Sequence, residues 1–157
     1  MIDLSPLLDP HLSLHMLHVF GVIIALGAVL VTDAVNALMH LNPKRANYTA
    51  KTAPVFSLMI WTGFLIISVT GLFMFLSHPT LILDRMFQVK FFLVGVIFLN
   101  GVFLNLWVKP KFDELSDEWS ERTDRVKNFE KVAGLSAAIS AIGWTTVFVL
   151  GYLLVNA

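Results

Sequence analysis

Apolar residues run almost unbroken through four stretches of this chain, each about as long as the roughly 20 residues a helix needs to cross a hydrocarbon core. The first opens at Asp9-Pro10, an N-cap residue followed by a proline in the first helical turn, and closes before Asn42-Pro43, because a proline biases its predecessor out of the helical region. The second is introduced by Pro54 and broken by Ser77-His78-Pro79-Thr80, and the third is capped by Asp84. The pattern predicts helices at about 10–41, 54–77, 85–108 and 132–155 in a single domain, 1–157. Before the first helix, Ser5-Pro6 can open a short interfacial turn carrying Leu4, Leu7 and Leu8.

Between the last two runs, residues 109–131 alternate differently. Phe112, Leu115, Trp119, Val126 and Phe129 recur at helical intervals among charged residues. This reads as an amphipathic linker helix on the membrane surface or capping the bundle, with docking of another protein as the lesser reading. Its six basic residues are offset by seven carboxylates, so it is not a nucleic-acid patch.

The polar exceptions inside the apolar runs carry the candidate chemistry. In the first helix His11, His15, His18, Asp33, Asn36 and His40 fall within an arc of about 60° at 100° per residue. An ionised group at the depth of Asp33 would cost about 2.5–3.5 kcal/mol facing lipid, so the stripe is expected to point into the bundle. The second helix has a looser polar face of Ser57, Trp61, Ser68, Gly71 and His78, and the third carries Lys90, Asn100 and Asn105. Gly21, Ala25 and Ala28, and the last helix's Gly134, Ser136, Ala137, Ser140, Ala141 and Gly143, are small enough for close helix approach.

Composition agrees with the pattern. The chain is 157 residues long, 57% hydrophobic and 14% charged, with a mean hydropathy of +0.76, which places it among integral membrane proteins. It has no cysteine, which removes disulfides, thiolate catalysis and cysteine-ligated clusters. No basic residue precedes Lys44, so the first helix lacks the charged flank of a cleaved leader and is expected to stay.

Basic residues then set orientation. Lys44, Arg45 and Lys51 in the first loop and the six of the third make nine, against Arg85 and Lys90 at the other end, so loops one and three are expected in the cytoplasm and both termini outside. His11, His15, His18, His78 and Lys90 then share the outer end, while Asp33, Asn36, His40 and Asn105 lie toward the inner one.

For the outer cluster, a haem iron takes axial ligands on opposite faces of its macrocycle, which favours His18 or His15 on the first helix paired with His78. A zinc or copper site would instead need three or four ligands converging, with Asp84 a candidate supplement to the histidines, and interfacial histidines without a ligand are the plainer alternative. Lys90 can snorkel or can bind a propionate, a quinone oxygen or another acidic group. Trp61 is either core filler or the aromatic wall of a ligand site. The inner residues Asp33, Asn36, His40 and Asn105 read as a hydrogen-bonded packing network, with Asn100 as another candidate partner, or as a proton path.

The run Leu17-His18-Val19-Phe20-Gly21, the second-helix Trp61-Thr62-Gly63 and the third-helix Val89-Lys90-Phe91-Phe92-Leu93-Val94 resemble small bacterial four-helix haem-binding membrane proteins, the group of the alternative protoporphyrinogen oxidase and the copper-resistance D membrane domain. The resemblance implies haem b held through His18 and Lys90 in the bacterial inner (plasma) membrane, exchanging electrons with a quinone, a porphyrinogen or an electron-carrier partner, as a monomer or homo-oligomer. Asn100 stands where the oxidase pattern has a second histidine, and Asn128-Phe129-Glu130-Lys131-Val132 replaces its polar Asn-Glu-Pro sequence. The implied function is therefore haem binding and redox chemistry rather than porphyrinogen oxidation itself. The competing class is a non-enzymatic membrane protein that handles copper or protons, or a structural subunit of a membrane assembly.

Overall fold

A helix in hydrocarbon satisfies its own backbone hydrogen bonds, and the chain uses little else. The computed structural model describes the backbone of residues 10–41, 46–115, 118–119, 121 and 123–156, and the side chains of 12–38, 52–115, 118–119, 121 and 123–154. The expected N-terminal turn, the Asp9 cap, the side chains of His11 and His40, and Lys44 and Arg45 of the first loop lie outside the described residues. Helix α1 is Pro10–Leu41, α2 Ala46–Ser77, α3 Arg85–Phe103, α4 Lys109–Glu114 and α5 Asp124–Asn156. Four stretches, Leu12–Leu38, Thr52–Ser77, Arg85–Glu114 and Asp124–Leu154, are long and apolar enough to cross a membrane. Their outward side chains, among them Leu58, Leu65, Leu106 and Ile142, are exposed, as suits a lipid-facing surface. The molecule is an all-α, multi-pass membrane four-helix bundle.

The helices pair as two antiparallel hairpins. α1 packs along α2 and α3 along α5, while α1 makes a lesser contact with α5. The first seam is built on small residues. A Cβ added at Gly63 would lie 2.7 Å from the Gly21 carbonyl oxygen and 2.8 Å from Ala25. Ala25, Ala28 and Val29 are buried beside it. In the second seam Gly143 meets Ile97, and Asn100 is tied to Ser136 twice: its Nδ2 donates to the Ser136 carbonyl at 3.0 Å, and its Oδ1 accepts from the Ser136 hydroxyl at 2.6 Å. Ala25, Val29, Ile67, Ile97, Trp144 and Val147 form the membrane-level core joining the two hairpins.

Three helix ends differ from the sequence pattern. α2 begins at Ala46, eight residues before Pro54, so the polar segment continues the helix and the proline sits inside it. The missing Pro54 N–H forfeits one hydrogen bond, which a long helix otherwise fully bonded can tolerate. The third span reaches Glu114 through a π-helical turn, Leu104–Val108, closed by the Lys109 N–H donating to the Leu104 carbonyl. Pro110 accounts for that turn: it has no N–H for the carbonyl four residues back and its ring crowds that group, and the wider spacing relieves both. α5 starts at Asp124, about two turns early, because Val126 and Phe129 are drawn into a second core with Leu115 and Trp119. The described residues of the 109–131 segment therefore pack as a cap, one of the two placements expected of the amphipathic linker, with Leu115 and Val126 fully buried. Arg125 clasps it from outside, donating to Glu114 and Glu118 at 2.7 Å each. Asp84 caps α3 as expected, its Oδ1 accepting from the Phe87 N–H at 3.0 Å.

Candidate functional site

The two hairpins do not close on each other along their whole length, and two cavities remain between them. One lies at the end holding His18 and Lys90, has a volume of about 1140 Å³ and opens to the exterior beside the exposed Phe91, Phe92 and Leu99. The other lies at the end holding Asp33 and Asn105 and encloses about 420 Å³. Phe64, Ile97 and Trp144 line both and form the waist between them.

The walls of the larger cavity are mostly apolar, interrupted by His18, Ser68, Gln88, Lys90 and Tyr152. His18 is half-buried and its Nδ1 lies 2.8 Å from the Thr70 hydroxyl. Thr70 is 2% exposed, and its single proton is committed to the Ile66 carbonyl at 2.6 Å. With that proton so placed, the Thr70 oxygen accepts from His18 in its Nδ1–H tautomer, the form in which Nε2 keeps a lone pair that a metal could take. This is the arrangement by which a ligating histidine is oriented from behind by a hydrogen bond to its other nitrogen. Gly71 leaves room for the ring, with His18 Cε1 at 3.4 Å from where its Cβ would stand. Across the cavity, Lys90 lies over Gly151, where a Cβ would stand 3.1 Å from Nζ.

The helix pairing thus brings His18 and Lys90 to one cavity. It does not bring His15 or His78 there. Both are exposed, and His78 forms the N-terminal boundary of the one-turn helix Pro79–Leu83 between α2 and α3. His15 lies roughly 4.5 Å beyond His18 toward the N-terminal end of α1, farther from the buried stretch Gly21–Val29, and its side chain is exposed. Among the described residues no three His, Asp or Glu side chains converge as a metal site would require.

At the other end Asp33, Asn36 and Asn105 share the smaller cavity with Trp61, and His40 falls outside the described side chains. Asn105 is held by Ser57, which donates to its Oδ1 at 3.1 Å, and by the Gly101 carbonyl. Asp33 keeps a buried Oδ2 with no hydrogen-bond partner among the described residues. Trp61 packs edge-on to Phe98 at 5.8 Å and to Phe64 at 6.1 Å, so it is both filler and cavity wall.

No family model, curated protein or solved structure matches the chain. Thr70 is the candidate site residue that patterning missed. A threonine in the middle of an apolar helix gives no signal until its partner helix is known, since its hydroxyl can bond to its own backbone.

Proposed function

We propose that this protein binds haem b in the larger cavity, with His18 as the protein's axial ligand and Lys90 as the cation that meets a propionate. The observation that supports this best is the Thr70–His18 hydrogen bond, which leaves an imidazole lone pair free at the wall of a large, mostly apolar cavity. Such a cavity with a few convergent polar groups is the usual form of a cofactor site, and here the donor set suits one nitrogen-ligated iron and an acidic edge. Bound haem would supply one-electron chemistry. The chain's own part is to hold the imidazole in one tautomer, to place an ammonium opposite, and to exclude water with Phe64, Ile67 and Trp144. The electron partner in this reading is a quinone or a protein carrier, and the membrane is the bacterial inner membrane, with both termini outside.

Protein purified in mild detergent should show a Soret band and about one haem per chain. His18→Ala should abolish it, and Thr70→Val should weaken haem affinity about 10- to 100-fold. His15→Ala and His78→Ala should retain it. A colourless protein that takes up no added haemin, or a His18→Ala variant with an unchanged spectrum, would overturn the reading.

A further inference from the structure

The smaller cavity is a separate site with its own chemistry. Its volume, about 420 Å³, falls in the range of small-molecule pockets. The titratable groups that line it are Asp33, Asp113 and Glu130, which are acidic, and Lys109, which is basic. Its walls are aromatic, with Phe56, Trp61 and Phe64 from α2 facing Trp144 from α5, and Trp119 and Phe129 rising from the cap. Ring faces of this kind attract cations, most strongly where water is excluded. The Oδ2 of Asp33 is fully covered yet receives no donor from the described residues. A buried acceptor left unmatched is unfavourable, more so when charged, and a bound donor would remove that penalty.

We propose that this cavity binds a small organic cation, an ammonium group joined to an apolar or aromatic body, with Asp33 meeting the charge and the Trp61 side of the cavity holding the body. The scale of the cavity and its aromatic lining suit a molecule better than a bare metal ion, which would need several oxygen or nitrogen ligands converging on one point. Asn36 and Asn105 add polar contacts at the same level, and the π-helical turn at Leu104–Val108 carries Asn105 there. The site shares only the apolar waist with the His18 cavity, so the proposal stands apart from haem binding.

The test uses the full-length protein in detergent and two probes of nearly identical shape, benzylammonium, which carries N–H donors, and its neutral carbon isostere ethylbenzene. Binding is read by equilibrium dialysis and by quenching of tryptophan fluorescence, since Trp61, Trp119 and Trp144 line the cavity. The cation should bind saturably with one site per chain and at least about tenfold more tightly than the isostere. Asp33→Asn should weaken the cation about 10- to 100-fold and leave the isostere unchanged. Equal affinity for the two probes, absence of saturable cation binding, or full cation affinity in a folded Asp33→Asn protein would each overturn the proposal. The comparison of probes on the unaltered protein decides the matter even if Asp33→Asn does not fold. Haem content and cation binding are read independently, so failure of either leaves the other standing.

Discussion

Replacing Gly63 by alanine tests the seam on which the His18 site rests. The new Cβ would stand 2.7 Å from the Gly21 carbonyl oxygen and 2.8 Å from both the backbone nitrogen and the Cβ of Ala25. Comfortable contact begins near 3.4 Å, so α1 and α2 would have to part by about 0.7 Å, and backbone cannot swing aside as a long side chain can. Overpacking of this kind costs about 1–3 kcal/mol, and the rigidity of the obstacle puts Gly63→Ala at the upper end. Alanine's better helix propensity returns about 1 kcal/mol, leaving a net loss of about 2 kcal/mol. Gly27→Ala in α1, the helix that faces Gly63 across the seam, is the control, because a Cβ there meets nothing within 4 Å and should keep the propensity gain unopposed. Equilibrium unfolding in mixed micelles, titrated with a denaturing detergent, should therefore shift by about 30-fold in the folding constant for Gly63→Ala and slightly the other way for Gly27→Ala. The displacement would also reach His18, since Thr70 lies two turns from Gly63 on the same face and the 2.8 Å bond would stretch toward 3.5 Å. If Gly63→Ala is as stable as Gly27→Ala, the close approach of α1 and α2 is wrong, and with it the placement of Thr70 behind His18.

The cap should divide its stability between core and clasp very unequally. Leu115→Ala, at a fully buried position, is expected to destabilise the cap by about 2–5 kcal/mol, read as faster hydrogen exchange across 108–133. Arg125→Ala, whose ion pairs are more than half exposed on the arginine side, should cost about 1 kcal/mol or less and fade in high salt; equal effects would refute the assignment of Leu115, Trp119, Val126 and Phe129 as the local core. Because the chain has no cysteine, single Ser5→Cys, Lys44→Cys, Asp84→Cys and Glu118→Cys variants can be labelled from one side, and the charge imbalance predicts outside, inside, outside and inside. External labelling at both Lys44→Cys and Glu118→Cys would reverse the proposed orientation.

Much of the fold was legible because hydrophobic runs and helix punctuation are local signals. The four spans, the end of α1 at Leu41 before Asn42-Pro43, the Asp84 cap and the small-residue faces of α1 follow from residues within a few positions of each other. The errors at the helix ends share a cause: Pro54 and Pro110 were weighed as boundaries, but the helices run through them, one giving up a hydrogen bond and the other widening into a π turn. The candidate sites were less legible because they depend on which helices pair. The stripe on α1 identified His18, Asp33 and Asn36 as inward, yet only the closest approach at Gly21 and Gly63 fixes which part of it is buried. Asn100 and Asn105 were both candidate partners for Asp33, and each found a serine instead, Ser136 and Ser57. A donor–acceptor match between neutral groups of adjacent helices was available to both, and it leaves the carboxylate facing the cavity.

The division of the interior also changes what one polar stripe means. His18 and Asp33 lie fifteen residues apart, roughly 22 Å along a straight helix, and Phe64, Ile97 and Trp144 stand between their cavities, lining both. Phe64 stacks on Phe98 while meeting Trp144 edge-on, so the waist is held by aromatic packing. The proposed haem site at His18 and the proposed cation site at Asp33 would then serve different molecules from different ends of the bundle. If the two are coupled, the coupling must pass through movement of the hairpins against each other, with Trp144 the residue of α5 that both cavities share.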